Sequence, residues 1–74
     1  MGDLALRLLA KWRREGGTWR VTVRIEGYDM SFTYALPGKI SKRRAEGAAR
    51  RLCANETDEK MKHIFVVDTI KEGG

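Results

Sequence analysis

One cysteine, one histidine and one proline occur in the 74 residues, and only 8% of the chain is aromatic. A single cysteine excludes any disulfide within the chain, so a bridge-stapled fold is ruled out and a reducing compartment is the expected home. One histidine beside one cysteine leaves no cluster with metal-ligand spacing. No Gly-rich phosphate loop is present, since Gly16-Gly17 and the terminal Glu-Gly-Gly read as turns or a tail. No apolar run approaches the length needed to cross a membrane, and MGDLALRLLA is too short and, at Asp3, too acidic for a signal peptide. Leu6 stands where a myristoylation signal would need Ser or Thr. Asn55-Glu56-Thr57 matches a glycosylation acceptor, a match without meaning in a protein that is not secreted. There is no internal repeat and no low-complexity stretch. The expectation is one small cytoplasmic domain spanning residues 1–74, with no cofactor, no metal and no membrane association. So short a chain has little room for a catalytic cleft with its supporting shell, and the reading is of a protein that is not an enzyme.

What the chain does have is positive charge, unevenly placed. Residues 1–54 hold twelve Lys/Arg against five Asp/Glu, whereas residues 55–74 hold three against five. Such asymmetry points to a positive surface that faces nucleic acid or an acidic protein.

The first helix can be capped by Asp3. Leu4, Ala5, Leu8, Leu9 and Trp12 share one side and are expected in the core, and Arg7, Lys11 and Arg14 form a basic ridge on another. Leu6 fits neither set; it lies at the core edge or contacts another molecule. Gly16-Gly17 ends the helix. From Thr18 to Glu26 the pattern alternates, with Trp19, Val21, Val23 and Ile25 on one side. After a turn at Gly27-Tyr28-Asp29, Met30, Phe32, Tyr34 and Leu36 continue it. This is a β-hairpin with one buried face. Its other face carries Arg20, Thr22, Arg24, Ser31, Thr33 and Ala35, with no aromatic residue to stack a base.

The stretch from Pro37 to Ala54, PGKISKRRAEGAARRLCA, carries six basic residues against one acid, Glu46. Ala45, Ala48, Ala49, Leu52 and Cys53 recur at i, i+3, i+4, i+7 and i+8, an apolar stripe in which Cys53 reads as a small core residue. Ser41 is a suitable N-cap, but Lys42, Arg43 and Arg44 then fill the first turn, where unpaired N–H groups and the macrodipole favour acids. A helix with three cations at its positive end is a candidate anion-binding surface. Opposite the stripe lie Arg43, Gly47, Arg50 and Ala54, with Arg44 and Arg51 at the flank. Gly47 either permits close approach of another backbone or is incidental on a solvated basic face.

Asn55 to Met61 reads as a polar loop and His63 to Ile70 as a third strand. Its apolar residues fall on both faces, so it is central, bulged or covered on both sides. Asp68 is solvent-facing or part of a bulge, and His63 is an edge or surface residue without a catalytic partner. A right-handed crossover lays this strand parallel to the second and beside the first. The expected fold is α+β, in the order α-β-β-α-β, with a three-stranded sheet of order 2-1-3 and both helices on one face.

The pattern Gly38-x-x-Ser41-Lys42-Arg43-x-Ala45-x-x-Ala48-Ala49-x-x-Leu52 resembles the start of the last helix of double-stranded-RNA-binding domains. That resemblance implies phosphate contacts by Lys42 and Arg43 across the RNA major groove. It covers about fifteen residues, and the chain departs from the family in having two strands between its helices, a closing strand, and no Gly-Pro-x-His loop. The layout of residues 18–72 is similar to small phage and mobile-element proteins, including some anti-CRISPR inhibitors, which bind host machinery without catalysis.

Two functions are thus expected. The first is a nucleic-acid-binding module that grips phosphates through Lys39, Lys42, Arg43, Arg44, Arg50 and Arg51 around Gly47, helped by Arg7, Lys11 and Arg14. The second is an inhibitor of phage type that docks on an acidic protein surface or a host nucleoprotein complex.

Overall fold

A computed structural model of the chain describes residues 3–73; within them, the side chains of residues 3, 5, 9 and 12–14 lie outside the description. The expected Asp3 cap, the core places of Ala5, Leu9 and Trp12, and the ridge place of Arg14 fall on those side chains. The order of elements is α1 (Asp3–Arg14), β1 (Thr18–Ile25), β2 (Ser31–Pro37), α2 (Lys42–Thr57), one 3-10 turn (Met61–His63) and β3 (Ile64–Glu72).

The period-2 alternation of β1 dictates its place. Val21, Val23 and Ile25 are buried on one side, and β1 occupies the centre of a sheet ordered β2-β1-β3. Both neighbours run antiparallel to it, so β2 and β3 share a direction. This is the expected α+β architecture. On the covered face lies α2, whose Ala45, Ala49 and Cys53 are completely buried against Val21, Val23, Ile25, Leu36 and Ile64. Two alanines at the contact let the helix sit close to the strands, and each buried Val or Ile contributes about 1.5–3 kcal/mol.

Helix α2 starts where the sequence places it. The Ser41 Oγ accepts the Arg44 N–H at 3.2 Å, and the Trp19 Nε1–H donates to the Ile40 carbonyl at 2.9 Å, which fixes the segment that leads into the cap. The helix runs three residues past Ala54, to Thr57, instead of giving way to a loop at Asn55. Two polar side chains hold that extra turn: Thr57 Oγ1 donates to the Cys53 carbonyl at 2.6 Å, and Tyr34 donates its hydroxyl to Glu56 at 2.8 Å. Asp58, in the left-handed region at φ 62°, ends it.

Strand β3 is an edge strand with a bulge. Thr22 pairs with Asp68 but Val23 pairs with Val66, so Val67 is the extra residue. Before the bulge, Ile64 and Val66 face α2; after it, Thr69 and Lys71 do, and Ile70 turns to the opposite, uncovered face. The bulge explains why Ile70, which simple alternation would put with Ile64 and Val66, falls on the other side of this strand. Ordinary alternation before the bulge puts Phe65, 49% exposed, beside Arg24 on the uncovered face. That face was expected to lack aromatics, which holds for the hairpin strands alone.

Several expected core positions are exposed. Met30 stands at 62% exposure in the loop before β2, and Leu52 at 41% on the flank of α2. In α1, Leu4 and Leu8 are 70% and 40% exposed and Leu6 is 58% exposed. The helix touches the rest of the domain chiefly at β1, and the short Glu15-Gly16-Gly17 link does not lay Leu4, Leu6 and Leu8 in the core.

Three chain segments cross tightly at that end. The Gly38 N–H donates to the Gly17 carbonyl at 2.8 Å. A Cβ at Gly38 would run into the Gly16-Gly17 backbone. One at Gly17, where φ is +91°, would meet Glu72 and Gly73. Only glycine fits this crossing.

Candidate nucleic-acid interface

The site begins with a conflict between sequence and helix physics. The first turn of α2 holds no acid and its last turn no base, so charges oppose the macrodipole at both ends. Lys42, Arg43 and Arg44 occupy N1 to N3, and an arginine stands where a capping box would place Glu or Gln. All three side chains are exposed, as is Arg51, and among the described residues none of the four is in an ion pair.

Arg44 and Arg51 are seven residues apart, about 10 Å along the axis. Between them, on the same side of α2, lies Gly47. The helix surface there is hollowed into an open groove of about 440 Å³, lined by Ile40, Arg44, Gly47, Ala48, Arg51 and Met61. A Cβ on Gly47 would meet nothing within 4 Å, so packing within the domain does not require glycine there. Its missing side chain deepens the groove. The floor is apolar (Ile40, Ala48, Met61) and the walls are guanidinium groups.

Not every expected cation belongs to this surface. Arg50 turns inward and donates from Nε to the Ile64 carbonyl at 2.8 Å and from Nη2 to the Met61 carbonyl at 2.7 Å. Its fork bridges α2 to the 3-10 turn and the start of β3, which makes it a structural clamp and not a phosphate ligand. Lys39, at the foot of α2, pairs with Glu15 at 3.3 Å and ties the end of α1 to the loop before the cap. Arg7 and Lys11 are exposed on α1, a helix with at most marginal contact with α2, so the structure does not join them to the arginine groove.

Sequence reasoning placed Ala48 in the core stripe and Met61 in a loop, and gave Ile40 no role. A signal for Ile40 was present: an apolar residue just before an N-cap packs on the fourth helical residue, here Ala45. Met61 lines the groove where Arg50 binds its carbonyl, a tertiary contact that leaves no local mark.

Other chemistry is sparse. Cys53 is free and buried. Half-buried Tyr34 has its ionisation pushed well above the usual phenol range, first by burial and then by its bond to the Glu56 carboxylate. Among the described residues no group of three His, Cys, Asp or Glu is placed to hold a metal, and no helix is long and apolar enough to cross a membrane.

Compared with known proteins, the chain matches no family model, no curated protein and no solved structure. The functional reading therefore rests on this geometry alone.

Proposed function

We propose that the chain is a small cytoplasmic binding module without catalytic activity, and that α2 grips nucleic-acid phosphates through Lys42, Arg43, Arg44 and Arg51. One observation carries the reading: Lys42, Arg43 and Arg44 stand exposed in the first turn of α2, where cations are electrostatically unfavourable, Arg44 and Arg51 flank a groove opened by Gly47, and none of the four is in an ion pair among the described residues. Exposed cations placed against a macrodipole reduce stability, and a bound polyanion removes that cost. Arg44 and Arg51, about 10 Å apart along one side, suit phosphates on the two sides of a groove of similar width. Affinity is mostly electrostatic, with weak sequence preference and steep salt dependence.

The test is titration of the protein with duplex RNA, duplex DNA and single strands at two salt concentrations, beside an Arg44→Glu/Arg51→Glu variant. Binding to at least one of them at about 50 mM salt, lost in the variant and weakened at higher salt, supports the reading. Absence of binding to all of them at the lower salt overturns it.

The apolar floor of Ile40, Ala48 and Met61 favours a second reading, since phosphates make no use of it. On that reading α2 docks on an acidic protein surface, as an inhibitor of phage or anti-CRISPR type would dock on a host nucleoprotein complex.

A further inference from the structure

The two ends of the domain are complementary to each other. At one end, α1 presents Leu4, Arg7, Leu8 and Lys11 at i, i+3, i+4 and i+7, a single exposed stripe that mixes leucine with cations. At the other end, some 25 Å away along β1, the hairpin turn and the end of α2 enclose an apolar pocket of about 160 Å³. Ile25, Tyr28, Met30, Phe32, Thr57 and Glu59 line it. A cavity of that size admits one benzene-sized apolar group. Tyr28 and Met30 are 55% and 62% exposed at its mouth. Glu59 is in the lining, and Glu26, Asp29, Glu56 and Asp58 adjoin lining residues in the chain, against which Arg24, Lys60 and Lys62 are the neighbouring cations. Asp29 lies 3.6 Å from Arg24, and Glu59 lies 3.6 Å from His63.

We propose that α1 docks its Leu4–Leu8 stripe into the Tyr28–Met30 pocket of a second copy of this chain. Two copies side by side and antiparallel place the basic apolar helix of each on the acidic apolar pocket of the other. One twofold axis then satisfies both contacts and closes the assembly as a dimer. Within one chain the two surfaces are at opposite ends. One leucine of the stripe enters the pocket and the other packs on the exposed Tyr28 and Met30, while Arg7 and Lys11 meet the acids at its rim. The contact uses surfaces separate from the arginine groove of α2, so it stands whether or not that groove binds nucleic acid.

The experiment measures mass by light scattering and sedimentation over a concentration series at low salt. It uses the wild type, an α1 variant (Arg7→Glu/Lys11→Glu) and a pocket variant (Glu26→Lys/Asp29→Lys), with thermal melts to show that each is folded. The expected result is a concentration-dependent dimer for the wild type and a monomer for each variant alone. Mixing the variants in equal amounts should restore the dimer, since both contacts in the mixed pair recover opposite charges. A wild type that stays monomeric to millimolar concentration overturns the proposal. So does a mixture that stays monomeric, or a monomer that instead binds anionic phosphatidylserine vesicles through α1.

Discussion

Because a methyl group at Gly47 would meet nothing within 4 Å, the glycine costs helix stability and gains the domain no packing. Gly47→Ala is therefore expected to stabilise by about 1 kcal/mol, a rise of roughly 4–8 °C in melting temperature for a domain of this size. The same methyl fills the groove between Arg44 and Arg51, so affinity for the nucleic acid bound by the wild type should fall. A variant that melts higher with unchanged affinity would leave the glycine without a binding role. Arg50 behaves in the opposite way. Arg50→Lys cannot span both carbonyls with one ammonium group, and charge-assisted hydrogen bonds contribute about 1.5–3 kcal/mol. Its melting temperature should drop while the affinity of the folded fraction is unchanged, as circular-dichroism melts and titration below the transition will show. Tyr34 sets an alkaline limit. Its folded phenol is shifted up from an unfolded value of 10.0, so its contribution is intact below about pH 10. That contribution declines as pH rises further, because the unfolded chain ionises first. Melts from pH 8 to 11 should fall less steeply for Tyr34→Phe than for the wild type.

At the scale of elements, α2 carries cations at its positive end and Glu56, Asp58 and Glu59 at or just past its negative end. Lys42→Glu/Arg43→Glu should leave the fold intact and stabilise it by about 0.3–1 kcal/mol for each site at low salt. Chemical denaturation should show that gain shrinking in high salt. A destabilised double variant would mean that the cations serve the fold. Much of the architecture was legible because it is local: the alternation of β1, the Ser41 cap and the alanine stripe are each written within a few residues. The bulge at Val67 is not, since an extra residue exists only relative to the partner strand. The end of α2 was missed because its stop is Asp58 in a left-handed conformation instead of glycine, and because Tyr34, from another element, holds Glu56. The candidate site divides in the same way. Helical arithmetic set Gly47 between Arg43 and Arg50 and left Arg44 and Arg51 at the flank, whereas it is the flank pair that lines the groove with Gly47. The inward turn of Arg50 depends on carbonyls 11 and 14 residues away and could not be read locally.

At the scale of the whole molecule, the domain measures 37 Å on its longest axis, and its charge is sorted along α2. Cations gather where α2 begins and acids where it ends, so the side-chain charges add to the macrodipole instead of cancelling it. The result is a large permanent electric moment. In the field of a polyanion such a particle rotates before it collides and arrives with its binding end leading. Fewer encounters are then wasted on unproductive orientations, and the association rate should fall with ionic strength more steeply than the dissociation rate climbs, a difference stopped-flow kinetics can resolve. Residue-level strain at one helix end thus becomes, for the molecule, a compass.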